Sequence, residues 1–373
     1  MSVTIHDVAR EAGVSVKTVS RAMNNHPDVS AATREAVREV ARRLNYHPSP
    51  VARGLRGSST GLVALLVPDI LNPHFAEYAR HMQAVTHADG LLPIVSSHDD
   101  DPEIALANLR AFVAHRVDGL VWFTEWVDRD ALEFLRDARL PTVITLPNPT
   151  MPPVALPEHV RTLRFAPGAT TYEQATRAAV DHLLGLGHRT FAYITESPGL
   201  VSVRERIAGF RGAAGHLPTG SAVVRTHPDL QSGAPKPHGG YETTMEMLAE
   251  GYRPTAVLAS SDMVALGVLR ALREWGFNVP ADVSVVGCDD VWEAAYTDPP
   301  LTTLRAPYEA VCAAGLGLLR HLIDPEDRSE AVCEMGHELV IRASTGPVPE
   351  ALEVVMEPSR ERSQRAKPSH RSD

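Results

Sequence analysis

At 373 residues the chain has room for two or three domains of about 150 residues each, and 44% apolar with 22% charged residues is ordinary globular composition. That excludes a collagenous, fibrous or wholly disordered chain. Apolar runs fall short of the roughly 18 residues that span a bilayer, and the N-terminus lacks the basic patch and apolar core of an export signal, so a cytoplasmic protein with no membrane partner is expected.

The formal charge of −10 is unevenly spread. Residues 1–60 carry nine Lys and Arg against five Asp and Glu, residues 61–356 carry 22 against 38, and residues 357–373 carry five against three. A small basic head on an acidic body fits one module that meets a polyanion, joined to another with a different task. Only Lys17, Lys236 and Lys367 are lysine, a skew ascribed to coding composition. Cys288, Cys312 and Cys333 are odd in number and lack CxxC spacing, so neither a disulfide framework nor a zinc site is indicated.

In chain order, Ile5, Val8, Ala9 and Ala12 repeat with helical spacing behind the Thr4 and Asp7 of a capping box. Gly13 stops that helix. Ser15 can cap a second one whose inner stripe is Val19, Ala22 and Met23, and Gly-Val-Ser between them is a helix-turn-helix turn. Ser30 caps a third helix with Val37, Val40, Ala41 and Leu44 inward. After Pro48, Ser49 and Pro50, the segment from Gly57 to Gly61 has the composition of a flexible connector.

Beyond it, apolar runs of strand length at 62–67, 91–96, 119–123, 142–146, 190–195, 222–225, 256–259 and 283–287 alternate with amphipathic, helix-length segments. The fold class expected is therefore α/β with parallel sheets in layers. Residues 147–168 hold six prolines and little periodicity, which predicts a joint between two α/β lobes, with a ligand cleft between them as the default expectation. The expected division is a helix-turn-helix head at 1–47, a hinge and linker at 48–60, a two-lobed body at 61–345, and a polar, disordered tail at 346–373.

In a helix-turn-helix the second helix enters the major groove, so Val16, Lys17 and Arg21, pointing away from the apolar stripe, are the candidate base readers. Thr4, Ser15, Thr18, Ser20, Asn24 and Thr33 are short donors suited to phosphate oxygens, although each could be a mere cap. Three enzyme-like strings fail on context. Gly57 to Gly61 fits GxSxG but precedes a strand instead of following one. Gly185-Leu186-Gly187 and Gly315-Leu316-Gly317 lack the last glycine of a dinucleotide loop, and 17 histidines include no HExxH. No enzyme activity, cofactor or metal is expected.

Thr4-Ile5-His6-Asp7-Val8-Ala9, Ala12-Gly13-Val14-Ser15, Thr18-Val19-Ser20-Arg21, Asn24, Val29-Ser30 and Thr33-Arg34 resemble the head of LacI-type transcriptional regulators. Leu44-Asn45-Tyr46 and Ala52-Arg53-Gly54-Leu55 continue the likeness into what resembles the family's hinge helix. Val67-Pro68-Asp69, Val117-Asp118-Gly119-Leu120, Leu186-Gly187-His188-Arg189, Arg206 to Phe210, Gly287-Cys288-Asp289-Asp290 and Leu301-Thr302-Thr303-Leu304 extend it to about residue 345. The resemblance implies a homodimer on a pseudo-palindromic DNA operator. It adds Ser30, Tyr46, Ala52, Arg53 and Leu55 to the DNA contacts, with Leu55 a minor-groove wedge beside Arg53 and Arg56.

It further implies an effector cleft lined by Asp69, His74, Phe75, Phe123, Arg206, Ser261 and Asp289. Arg206 and Asp289 are its anchors, a pair suited to the hydroxyls of a sugar. Phe75 and Phe123 could equally be core residues. Leu71, Thr171-Tyr172 and Ser261 depart from the family pattern. The expected function is a ligand-responsive repressor of carbohydrate genes; a purine-type co-repressor mode and a cytoplasmic solute-binding protein are the alternatives.

Overall fold

The computed structural model describes residues 3–23, 26–46, 59–145, 156–166, 169–196, 198–227, 230, 236–324, 326, 332–333 and 336–348. At the N-terminus α1 (Ile5–Glu11), α2 (Val16–Met23) and α3 (Ala31–Arg43) form the expected three-helix head. Short polar side chains set each start. The Asp7 carboxylate accepts from the Thr4 N–H at 2.9 Å, Ser15 Oγ from the Thr18 N–H at 3.1 Å, and Ser30 Oγ from the Thr33 N–H at 3.2 Å. Gly13 takes φ +65°, which a β-carbon would resist, and so turns the chain between the first two helices. Val8, Ala9, Val19, Ala22, Val29, Val37 and Ala41 are the buried core of the head.

The chain as a whole divides into two compact units that interleave in sequence. The first takes 1–172, with the head, together with 198–204 and 306–338; the second takes 173–197, 205–305 and 339–373. The expected contiguous body at 61–345 is thus composed of segments that alternate between two units.

In the first unit β1 (Leu62–Val67), α4 (Pro73–Ala88), β2 (Leu92–Ser97), α5 (Pro102–Ala114), β3 (Gly119–Phe123), α6 (Arg129–Ala138), β4 (Thr142–Thr145) and β5 (Val160–Thr162) build a parallel sheet ordered β2-β1-β3-β4-β5. β1 is apolar throughout because both its faces are covered: Val63, Leu65 and Val67 enter one core, Ala64 and Leu66 the other. Asn72, Asp101 and Asp128 cap the helices, with proline in the first turn of two of them. β6 (Arg164–Phe165) pairs with the later β12 (Val332–Cys333). Between these, α7 (Tyr172–Gly185), α8 (Val201–Ala214), α9 (Lys236–Ala249) and α10 (Asp262–Glu274) precede α11 (Tyr308–Ile323), which packs against α4 in the first unit.

The second unit holds β7 (Phe191–Thr195), β8 (Ala222–Thr226), β9 (Ala256–Ala259), β10 (Ser284–Asp289), β11 (Thr302–Arg305) and β13 (Glu338–Val340), ordered β13-β11-β10-β9-β7-β8. In both sheets the strand order reverses beside the first strand, between β1 and β3 and between β7 and β9. Open parallel sheets leave a crevice at such a reversal, beyond the carboxyl ends of the strands.

Three expectations need correction. The 147–168 stretch is more than a joint: β5 extends the first sheet by pairing with β4, and β6 pairs with β12. These strands are too short for a legible alternation, and their partners lie elsewhere in the chain. The polar tail does not begin at 346, since the Gly346 N–H donates to Ser284 Oγ at 3.1 Å and the Val348 N–H to the Leu186 carbonyl at 3.0 Å. Strand ends also shift, and β10 runs on to Asp289. Cys288, Cys312 and Cys333 are all buried free thiols.

Candidate functional site

The head presents one face of α2. Lys17 is exposed, and Arg21, its side chain 39% exposed, forms an ion pair with Asp28 at 3.3 Å. Thr18 and Ser20 are half-buried at the helix surface, and Thr4 and Ser15 are exposed. Val16 departs from expectation. It is partly buried against the head core, because a residue three before Val19 lies over the same stripe. Tyr46 also packs on that core, at the end of the chain leaving α3.

The short donors are already engaged locally, Ser15 Oγ lying 2.9 Å from Thr18 Oγ1 and Ser30 Oγ 2.9 Å from Thr33 Oγ1. Arg34 binds the turn before α3, donating to the carbonyls of His26 and Val29. Asn24, Ala52, Arg53 and Leu55 lie outside the described residues.

At the reversal of the first sheet, β1 runs into Asp69, whose Oδ1 accepts from the Leu71 N–H at 2.8 Å. His74 is buried, with Nδ1 2.9 Å from the Tyr308 hydroxyl. Phe123 ends β3 inside the core, its ring 4.4 Å from that of Tyr78, and Phe75 packs partly buried against the same cluster. Phe123 therefore takes the core role that competed with the lining role in the sequence. The cause is burial on both faces of a central parallel strand.

The reversal of the second sheet concentrates charge. Thr195 ends β7 and Glu196 follows it; Ser260 and Ser261 follow β9; Asp289 ends β10; Arg206 projects from α8. Glu196, Arg206, Ser261 and Asp289 are each buried. Glu196 receives Lys236 Nζ at 3.2 Å and Thr195 Oγ1 at 3.2 Å, and Lys236 also donates to the Leu230 carbonyl at 2.9 Å. Burial would raise the Glu196 carboxyl, but Lys236 and Arg206 outweigh it and hold the group below its ordinary value.

Asp289 and its neighbour Asp262 go the other way. Burial pushes both carboxyls up, with the charge of Asp290 adding to the rise at Asp262 and that of Asp262 adding to the rise at Asp289, where Arg206 opposes it. Asp262 accepts from Thr303 Oγ1 at 2.5 Å and from the Val291 N–H at 3.0 Å, which aims it beneath the end of β10. Asp289 itself has φ +117° and Asp290 φ +56°, backbone states that cost about 1–3 kcal/mol each and persist where the surroundings impose them. Asp290 is the clamp, gripped by Arg305 Nε at 2.6 Å and Arg342 Nη2 at 2.5 Å.

Ser261 caps α10, its Oγ accepting from the Val264 N–H at 3.2 Å, so part of its hydrogen-bonding capacity is spent inside the fold. Of the seven expected effector residues, Arg206, Ser261 and Asp289 share this crevice. The reading of the sequence missed Glu196, Lys236, Asp262 and Asp290. Glu196 had a signal, an acid directly after an apolar strand; Lys236 had none, being brought in from the start of α9. Among the described residues no group of side chains could hold a metal, and no helix is long and apolar enough to cross a membrane.

Residues 4–49 match the family of bacterial regulatory proteins of the lacI type, and residues 180–345 match the periplasmic binding protein-like domain. The HTH-type transcriptional repressor PurR of Mannheimia succiniciproducens is 32% identical over 91% of this chain and 98% of its own. The lac repressor dimer bound to operator and the anti-inducer ONPF superposes with a TM-score of 0.77 at 29% identity, over 93% of this chain and all of that one. The complex of the transcriptional regulator CelR with cellobiose superposes with a TM-score of 0.61 at 26% identity, over 92% and 99%. A helix-turn-helix head, two parallel α/β units and relatives that match end to end make this chain a member of the lacI family, a ligand-responsive, sequence-specific DNA-binding transcriptional regulator and not an enzyme.

Proposed function

We propose that the protein is a cytoplasmic, homodimeric repressor that reads a pseudo-palindromic operator and responds to a sugar, controlling genes for carbohydrate uptake or breakdown. Two heads, each with Lys17 and Arg21 on the outer face of α2, read the half-sites. Thr4, Ser15, Thr18, Ser20, Asn24, Ser30, Thr33 and Tyr46 position them on phosphates. Ala52, Arg53 and Leu55 enter the minor groove at the operator centre.

The observation that carries the sugar reading is the buried Arg206 and Asp289 at the strand-order reversal of the second sheet. A carboxyl group and a guanidinium buried at one crevice can accept from and donate to neighbouring hydroxyls with defined geometry. Cellobiose in the CelR complex is a ligand of that chemistry. Ser261 belongs to the same crevice, and the family resemblance adds Asp69, His74, Phe75 and Phe123 as effector contacts.

The effector acts by binding the operator-competent and operator-incompetent states unequally, since a ligand shifts an equilibrium only by its differential affinity. A thermal-shift screen of the full chain against sugars and nucleobases tests the reading, because a bound ligand raises apparent stability by mass action. The expected result is a rise with a sugar, abolished in Asp289→Ala and Arg206→Ala proteins that still bind operator. A rise with nucleobases alone would replace the sugar by a purine. Variants that keep the response at parental concentrations would move the site.

A further inference from the structure

We infer that Asp28 is a specificity-determining residue of the head, staying paired with Arg21 while that side chain reads a base. The pair leaves guanidinium donors for guanine and withholds their charge from phosphates. The inference rests on the reading of α2 as the recognition helix and adds a partner to its base reader. The head holds five carboxylates. Asp7 pairs with Arg10 at 3.0 Å, Glu11 with Arg43 at 2.6 Å, and Glu35 and Glu39 with Arg42 at 2.9 and 2.8 Å, all on α1 and α3. Among the described residues Asp28 alone reaches α2, its Oδ2 lying 3.3 Å from Arg21 Nη1.

An exposed ion pair is weak by itself, so what holds the acid in place matters. Asp28 sits in the turn between α2 and α3, and that turn is tied at several points. The His26 N–H donates to the Arg21 carbonyl at 2.9 Å, the Asp28 N–H to His26 Nδ1 at 3.3 Å, and the Val29 N–H to the His26 carbonyl at 3.2 Å. Val29 is buried in the head core, and Arg34 donates to the carbonyls of His26 and Val29. Little backbone freedom is left to lose when the pair forms.

A guanidinium carries five N–H donors in a planar fork. Asp28 engages Nη1, which leaves the Nε and Nη2 edge for the O6 and N7 of a guanine. Those acceptors are neutral, so the contact needs donors in the right places and no net charge. A phosphate contact depends on charge, because its strength comes from released counterions. A neutralised arginine therefore favours the base over the backbone, while Lys17, exposed and without an ion pair among the described residues, supplies the unmatched charge of α2.

The test uses the full-length protein, the variants Asp28→Asn, Asp28→Glu and Arg21→Ala, and the double variant Arg21→Ala with Asp28→Asn. Two probes are compared by fluorescence anisotropy over a salt series: the duplex that the parent enriches from a randomised pool, and a scrambled duplex of the same length and composition. Asp28→Asn should bind the scrambled duplex about three- to tenfold more tightly, with a salt slope steeper by about 0.9 per head, and leave affinity for the enriched duplex nearly unchanged. Asp28→Glu, which keeps the charge, should return the parental preference.

A merely structural Asp28 would weaken binding to both probes alike and lower the melting temperature, and that result overturns the inference. So does an unmoved affinity for the scrambled duplex, or an equal gain for both probes. A gain that persists in the Arg21→Ala background also overturns it, since the effect would then be the carboxylate's own repulsion of the backbone. If Arg21→Ala weakens binding to the enriched duplex while Asp28→Asn changes nothing, Arg21 remains the base reader and only the role of Asp28 falls. If Arg21→Ala leaves both probes unaffected, the reading of Arg21 as a base reader falls with it.

Discussion

Arg21 carries a neutralised charge in the free head, its guanidinium held by Asp28 at 3.3 Å across the turn that follows α2. On DNA that pair leaves the Nε and Nη2 edge of the guanidinium for a bidentate contact with guanine O6 and N7. Arg21→Ala should weaken operator binding by about 1–3 kcal/mol and relax preference at one half-site position. Affinities for a panel of single-base operator variants measure this, and a uniform loss across the panel would make Arg21 a phosphate contact.

Deeper in the molecule, Asp262 and Asp289 have carboxyls raised in the fold, Asp262 to about 7 from 3.8. The folded state therefore binds more protons than the unfolded one between those values. The stability this contributes is full below pH 3.8 and is lost as pH rises toward 7. Asp262→Asn should flatten that decline, read as the urea midpoint against pH. His98 and His188, whose burial lowers their pKa, act in the opposite direction, but equally in both proteins. An unchanged slope would mean the pair is ionised in the native state.

Among the elements, α9 and α10 make the closest approach. A β-carbon on Gly267 of α10 would fall on the Pro237 carbonyl oxygen and the Tyr241 amide of α9, both backbone atoms that cannot swing aside. Gly267→Ala is therefore expected to cost about 1–3 kcal/mol or more by overpacking, with the denaturant slope unchanged. Gly317 in α11 has nothing within 4 Å of such a carbon. Gly317→Ala should stabilise by about 0.5–1 kcal/mol through helix propensity alone. The opposite signs of two identical substitutions are the check, and nothing in the spacing of the two glycines along the chain distinguishes them.

For the molecule as a whole, charge is divided between a basic head and an acidic body. The nine head cations in each of two subunits displace condensed counterions, so the logarithm of affinity should fall steeply and linearly with the logarithm of salt, by about 0.9 for every phosphate neutralised. Fluorescence anisotropy from low to physiological salt reads the slope. A slope near zero, or operator binding that survives removal of residues 1–46, would remove the head from the interface.

Local signals were sufficient for the head and for most strands. Caps at Ser15 and Ser30, the turn at Gly13, and the helical spacing of Val19 and Ala22 each act within a few residues, and doubly covered strands such as Leu62–Val67 advertise themselves as unbroken apolar runs. What the tertiary structure alone decided depends on partners distant in sequence. β5 and β6 exist because β4 and β12 supply their hydrogen bonds, and Val348 is ordered because Leu186 accepts from it. The crevice in the second unit belongs to the same class. Glu196, Lys236, Asp262 and Asp289 come from four separate elements, and their ionisation follows from shared burial and mutual distance, which no spacing along the chain encodes.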